Sequence, residues 1–345
     1  MFINTILIYP ILLIKSTTKR SFTGLGKIIK KSGNAVRKIL ANYNDSLKIN
    51  HKIARDIFRN SRELTLSIDD TLIKKIYSKK IAGVGYFFDT KIGKTIRSYR
   101  LMACILTNGK YNIPINFDFL FDKNLVDEKD ELKTKLQIIQ YFYKSAKIIF
   151  PDKIIKIAFD GLFASVKILT WFVSNKIKLD ARMHSNRKVE YKGKLYKIKE
   201  IKDLVPVGRQ KSRTISIKWH NLKLFLTAEL RTDKNNETTI VYIVSTYKSR
   251  SKDHVDAYKR RWPIEMLFRT SKQYLGLEQC FSVNLDLQRN HIASVFLAYS
   301  LAQLEMYEKK MKTPEDAIRA IKHKNMQSIN RSFIRSEEIF EAVYA

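Results

Sequence analysis

Tyr258-Lys-Arg-Arg261-Trp-Pro-Ile-Glu265-Met-Leu-Phe-Arg-Thr-Ser-Lys272 is the stretch on which the reading of the chain turns. On an α-helix at ~100° per residue, Tyr258, Arg261, Glu265 and Lys272 fall within roughly 60° of one another. One carboxylate is then presented among three groups suited to binding phosphate. Ala257, Ile264, Phe268 and Leu275 make a second stripe beside the first, an apolar face for burial that would hold the carboxylate still at the edge of a core. Pro263 bears on this helix, because it removes a backbone donor and its ring crowds the carbonyl of Lys259. A kink there would turn Tyr258 and Arg261 relative to Glu265. The same spacing also fits a plain basic amphipathic helix with a Glu265–Arg269 pair at i,i+4.

Two upstream segments place further acids at strand ends. From Glu63 the period is two, with Leu64, Leu66 and Ile68 alternating with Thr65 and Ser67, which predicts a strand running into Asp69-Asp70-Thr71. Asp69 and Asp70 point to opposite faces of that strand. Asp70 would have to emerge from the apolar row, whereas Asp69 follows the polar row of Thr65 and Ser67, the easier place for a charge. Residues 153–159 read as a short buried strand leading to Asp160-Gly161-Leu162-Phe163, an acid just past a core strand, where an open α/β sheet places its chemistry. Each acid on its own is equally a turn or helix cap.

Taken together, the pattern Y-(2)-R-(3)-E-(6)-K over Tyr258, Arg261, Glu265 and Lys272 resembles the signature of bacterial insertion-sequence transposases of the DDE type. The Ile68-Asp69-Asp70-Thr71 string resembles the first-acid motif of the same enzymes and of retroviral integrases, in which the acid is commonly followed two residues on by Thr. Asp160, with Leu162 and Phe163 after it, is similar to the second. The resemblance covers roughly residues 61–308 and implies a ribonuclease H-like α/β fold, a mixed sheet flanked by helices. It implies that Asp69, Asp160 and Glu265 are the catalytic, metal-binding carboxylates, and that Tyr258, Arg261 and Lys272 hold DNA phosphates. Mg²⁺ is the expected ion, with Mn²⁺ as a substitute, because all the ligands are hard oxygens. Transposon ends and target DNA are the implied substrates, cut and joined by strand cleavage and strand transfer, with a homodimer in the DNA complex.

The remaining segments fit this order. Apolar runs at 99–107 and 111–119, separated by Asn108-Gly109-Lys110, predict a hairpin beside the first strand. Helical spacing follows over 127–149 (Leu132, Leu136, Ile139, Tyr143, Ala146), then a helix near 164–173 and a strand near 177–183. Residues 186–250 hold short β-like runs at 222–227 and 239–244, and read as a β-rich insertion; related transposases carry one that grips DNA. Trp219, Tyr191 and Tyr196 are placed there for base stacking or for packing. A helix over 287–307 follows, with His291 expected as a hydrogen-bonded core residue, and 309–345 is a basic tail.

Ahead of the core, residues 23–40 read as two short helices broken at Ser32-Gly33, the composition of a helix-turn-helix or a plain helical hairpin, with Asn34 as N-cap and Arg37 and Lys38 exposed. With them, residues 1–60 form a small helical, DNA-binding region. The first fourteen residues are apolar, too short to span a bilayer, and expected to form a buried helix. Because they begin inside a hydrophobic element, the amino-terminal domain is expected to have lost part of its length. The chain of 345 residues carries 65 Lys+Arg against 33 Asp+Glu, a formal charge of +32 that attracts polyanions and makes their binding steeply dependent on salt. Two cysteines without C-x-x-C pairing exclude a disulfide framework or thiolate zinc site, and a reducing cytoplasm, at the nucleoid, is the expected location. Two other classes fit the charge: a truncated, inactive transposase remnant that only binds DNA, and a structural nucleic-acid binder that needs no carboxylates.

Overall fold

The computed structural model describes residues 5–17, 19–42, 46–78, 80–81, 83–121, 133–233 and 235–324. Four helices precede the sheet: α1 (Thr5–Lys15), α2 (Phe22–Ile28), α3 (Gly33–Ala41) and α4 (Ser46–Phe58). The apolar α1 is buried as expected, with Tyr9, Leu12 and Leu13 almost fully enclosed. The N-cap of α3 is Ser32, not Asn34: its hydroxyl accepts the Ala35 amide at 3.2 Å, because Gly33 already has helical geometry and the cap moves back with it. Arg37 and Lys38 are exposed on α3.

The alternation found from Glu63 becomes β1 (Glu63–Lys74) at the centre of a mixed sheet. β1 pairs antiparallel with β3 (Lys94–Thr107), and β3 with β4 (Asn112–Leu120) and β2 (Gly85–Asp89) along different halves of its length. The β3–β4 turn is the expected Asn108-Gly109 hairpin: Gly109 has φ +93°, and the Asn108 side chain accepts the amides of Lys110 and Tyr111. Pro114 falls where the β3–β4 register slips, on a strand paired on one side only, where its missing N–H costs no ladder bond.

On its other side β1 runs parallel to β5 (Ile154–Phe159), and β5 to β6 (Leu179–Arg182). The order β4-β3-β1-β5-β6, three antiparallel strands followed by two parallel ones, is that of a ribonuclease H-like sheet. Between β4 and β5 lies α5 (Lys135–Ile149), started by a capping box in which Thr134 and Gln137 satisfy each other's backbone amides. The first residues of the helix expected over 127–149, up to 132, lie outside the described residues. α6 (Val166–Ser174) connects β5 to β6.

The β-rich stretch does not make a sheet of its own. β7 (Lys188–Tyr191), β8 (Lys194–Lys197), β9 (Ser212–Trp219), β10 (Leu222–Thr232) and β11 (Thr238–Ser245) continue the same sheet, joined where β11 pairs antiparallel with β6. Trp219 is packed here rather than presented, at 6% exposure beneath the Arg187 guanidinium, and the Tyr191 hydroxyl is bonded to Asp203.

The chain returns through α7 (Ser251–Lys259), α8 (Trp262–Tyr274), the buried α9 (Leu285–Glu308) and α10 (Pro314–His323). α9 is enclosed along nearly its whole length, against α1, α4, α8, α10 and β4. His291 is the expected core residue, bonded to the Tyr9 hydroxyl and the Gly276 carbonyl at 2.9 Å each. Within the tail, Ala317, Ile318 and Ile321 bury one face of α10; residues 325–345 lie outside the described residues.

Candidate functional site

The β1–β5 ladder sets the first two acids. Ile68 lies opposite Phe159 in the parallel register, and on each strand the next residue is an acid, so Asp69 and Asp160 come side by side where β5 ends, while β1 runs on beside β3 to Lys74. Asp160 caps a short 3₁₀ turn, Gly161–Phe163, and accepts the Gly161 amide at 2.7 Å. The residue after it has to be small, since a Cβ on Gly161 would lie 3.0 Å from the Arg182 carbonyl oxygen.

Asp69 and Asp70 divide between the two faces of β1 as their alternation requires. The Asp70 carboxylate turns to Arg100 at 3.3 Å. Asp69 shares its face with Ser67, whose hydroxyl donates to the Arg260 carbonyl at 2.7 Å, and its own carboxylate meets the Arg261 guanidinium at 3.3 Å. Burial, above all, pushes the Asp69 carboxyl up to about 7; the Asp70 amide and Arg261 pull it down, and the charges of Asp70 and Asp160 add to the rise. Asp69 is therefore the acid that faces Asp160 and the α7–α8 junction.

The signature stretch is not one helix. α7 closes at Lys259, where the Arg260 amide still reaches the carbonyls of Asp256 and Ala257, and α8 starts afresh at Trp262 with Arg261 as its N-cap. Pro263 explains the break, and it corrects the single kinked helix expected from the spacing. In the first turn of a new helix its missing N–H is one that would be unpaired anyway, whereas inside a continuous helix it would remove a bond. Arg261, Glu265 and Lys272 thus share α8, and Tyr258 belongs to the helix before.

At the junction Arg261 is the hub. One guanidinium nitrogen meets Asp69, the other pairs with Glu265 Oε1, and its plane lies 5.6 Å from the centroid of the Tyr258 ring. Tyr258 is 5% exposed and packs with Ile243 and Val255; burial raises its hydroxyl's pKa and keeps it a neutral donor. Lys272 is not beside Glu265. Seven residues on, about 10 Å along the axis, its ammonium donates to the Leu72 carbonyl at 2.6 Å and meets Glu278 at 3.4 Å. Five of the six residues singled out from the sequence are thereby gathered at one place, and Lys272 stands at the far end of β1.

Among the described residues no three His, Cys, Asp or Glu side chains converge closely enough to hold a metal ion. The donor chemistry nonetheless fits a divalent cation. Two neighbouring carboxylates, one of them buried, and a third reached through Arg261 form an all-oxygen set, and a guanidinium now supplies the positive charge between Asp69 and Glu265.

Other residues of the site carried little signal in the sequence. Asp180 on β6 is fully buried and accepts from Ser245 at 2.6 Å and Tyr247 at 2.8 Å, with His254 Nδ1 at 2.8 Å. His254 stands one turn before Tyr258, so this network fixes how α7, and with it Tyr258, lies on the sheet. A groove of about 1200 Å³ opens from Glu265 between α7 and strands β9–β11. Six cations line it (Arg182, Lys211, Arg231, Lys252, Lys259 and Arg261) against three acids (Glu229, Asp256 and Glu265), which makes it attractive to an anionic chain. Trp262, 56% exposed, stands at its lip. Its position between Arg261 and Pro263 was the one available hint, an aromatic on the first turn of a helix with nothing to cover it. No described helix is long and apolar enough to cross a membrane.

No curated protein matches the chain. Residues 60–301, the span from the start of β1 to within α9, match the model of a family described as the transposase DDE domain. With that match covering well over half of its length, the chain belongs to the DDE transposase family.

Proposed function

We propose that this transposase cuts DNA strands at the ends of an insertion sequence and joins them to target DNA, using Asp69, Asp160 and Glu265 to hold Mg²⁺, or Mn²⁺ in its place. The observation that carries the reading is the placement of Asp69 and Asp160 side by side on neighbouring parallel strands, with Arg261 linking Asp69 to Glu265. When bound, a pair of divalent ions supplies Lewis acidity to the attacking and leaving oxygens of an in-line displacement at phosphorus.

The chain's own residues do the rest. Arg261 presents a planar fork that matches two phosphate oxygens, and a phosphate that takes this fork frees the carboxylates it now neutralises. Tyr258, held by its burial and by the Asp180–His254 anchor of α7, offers a neutral hydroxyl beside the same phosphate. The cationic groove positions the strand, and Lys272 serves a phosphate farther along it. In the first reaction a water oxygen bonds to phosphorus as the P–O3′ bond breaks, leaving a 3′-hydroxyl. In the second, that hydroxyl attacks a target phosphorus, and the displaced 3′-oxygen takes up a proton. Residues 61–185 and 251–308 would form the catalytic core and 186–250 an insertion gripping DNA. Residues 1–60 would add contacts from α2–α3, and two copies would act in the DNA complex, in the cytoplasm.

The test incubates the full chain with DNA carrying the element's own ends, with Mg²⁺, Mn²⁺ or EDTA. Strand breaks that need the metal and vanish in Glu265→Gln are expected. End binding without metal-dependent cleavage would leave a DNA-binding remnant in its place.

A further inference from the structure

The segment after Lys74 carries an unusual surface. Residues 74–97 contain seven Lys or Arg (74, 75, 79, 80, 91, 94 and 97) and one acid, Asp89, so the only partner it complements is an anion. On that surface Tyr77 is 96% exposed, Tyr86 65% and Phe88 56%. Tyr86 and Phe88 are two apart on β2, so they project from the same face about 7 Å from each other. β2 is an edge strand, paired only with β3 among the described residues. The Arg97 guanidinium lies 6.0 Å from the centre of the Tyr86 ring and still leaves it mostly exposed, and large rings exposed on a cationic edge need a reason.

A chain of contacts ties β2 to the site. Lys272 meets Glu278 at 3.4 Å, the Glu278 carboxylate accepts the Lys74 backbone amide at 3.3 Å, and the Lys74 ammonium meets Asp89 of β2 at 3.1 Å. Asp89 in turn accepts the amide of the exposed Lys91 at 2.9 Å. The one acid of the segment is thus buried and spent on holding β2 in place, while Lys80, Lys91 and Lys94 are exposed and the charge of Lys91 is close enough to be felt by Lys272. The rings themselves look the other way: Tyr86 pairs with Arg97, which shares its face of β3 with Ala103, the partner of Asp69, so Tyr86 and Phe88 lie on the Asp69 face of the sheet.

We propose that the Tyr86–Phe88 face of β2 is a stacking platform for unpaired bases of the DNA strand that leaves the site on the Lys272 side. The inference rests on the reading of the protein as acting on DNA. A duplex hides the faces of its bases within its own stack, whereas an unpaired strand offers them to aromatic rings while its phosphates lie along lysines. A second copy of this chain fits poorly, because edge-to-edge pairing would set two strongly cationic surfaces against each other.

The test measures binding of the full chain to a fluorescent single-stranded oligonucleotide and to its duplex at several salt concentrations. Tyr86→Ala with Phe88→Ala should lose roughly tenfold or more in single-strand affinity, since stacking contributes that much per base. Duplex binding should stay within about twofold and the salt slope should be unchanged. Phe88→Trp should keep its affinity, and its fluorescence should be quenched by the oligonucleotide. Equal losses on single strand and duplex, no loss at all, or a loss only of self-association in sedimentation would each overturn the platform. DNA cleavage is read separately: failure to cleave would fall on the carboxylate site, and failure of the β2 variants to discriminate single strand from duplex would fall on this inference alone.

Discussion

In the metal-free protein, Asp69→Asn should stabilise the fold above neutral pH. The Asp69 carboxyl is pushed up to about 7 from an ordinary value of 3.8, chiefly by burial. The sign follows from proton binding: between these two values the folded chain holds a proton that the unfolded chain releases, so stability falls as pH rises through the window and the loss is complete above about 7. A shift of this size corresponds to up to about 4 kcal/mol at 1.36 kcal/mol per unit. The amide removes that penalty but takes one partner from Arg261, which keeps Glu265, an offset of about 1 to 3 kcal/mol. A net gain of roughly 1 to 3 kcal/mol is expected at pH 8, shrinking toward pH 4, where both side chains are neutral. Urea midpoints in EDTA across pH 4.5 to 8.5 read it directly. Asp70→Asn, which deprives Arg100 of its carboxylate on the opposite face and relieves Asp69 of only a minor contribution, should lose stability at pH 8 instead. A gain for Asp69→Asn that is the same at pH 5 and pH 8, or no gain at pH 8, would refute the account of this carboxyl as buried at the expense of its charge.

Asp160→Asn and Glu265→Gln should each reduce strand cleavage by at least about a thousandfold and change end binding, followed by gel shift, less than about threefold, because a metal ligand contributes little to the basic surface; cleavage near the normal rate would remove that residue from the site. Arg261→Ala and Lys272→Ala should weaken cleavage more than general DNA affinity, with Arg261→Ala the more severe since it touches two of the carboxylates; equal loss of both activities would make them ordinary surface cations. His254→Ala should cost about 3 kcal/mol by leaving Asp180 buried without its imidazole, and His254→Gln, which keeps a donor, should recover part of both stability and cleavage; a variant with wild-type stability would end the anchoring role. The logarithm of nonspecific DNA affinity should fall linearly with log salt, and a flat response would assign the +32 charge to something other than phosphate.

The sheet core was legible because its signals are local. Alternation in β1, the Asn108-Gly109 turn and the apolar run before Asp160 each specify one element through contacts within a few residues. The side of β1 taken by Asp69 followed from the same period of two, since a strand offers a side chain only two directions. What the sequence hid depends on contacts between distant segments. Asp180 and His254 are 74 residues apart and meet only because β11 folds against β6, a pairing with no local signature. The continuation of the sheet through β7–β11 was hidden for the same reason: short β-like runs announce strands but not the edge they will join.

The helix break is a different kind of miss, and it changes what the signature means. Counting at 100° per residue treats Tyr258 to Lys272 as one rigid rod, and on such a rod Tyr258 would stand on the stripe with Glu265. In the structure the offset of three between Tyr258 and Arg261 spans the end of one helix and the beginning of the next. Each helix is then free to answer to its own partner: α7 is fixed on the sheet by His254 and Asp180, and α8 is set by Ile264, Leu267 and Phe268 in the core. Arg261 sits at the joint, and Ser67 of β1 holds the preceding carbonyl at 2.7 Å. The spacing therefore encodes a corner tied to the strand that carries Asp69, with the proline marking where the second helix starts. The corner leaves Arg261 and Glu265 at their ordinary i,i+4 spacing and changes how Tyr258 meets them, so that one arginine at the joint touches the ring of the helix before it, the carboxylate of the helix after it and Asp69 of β1.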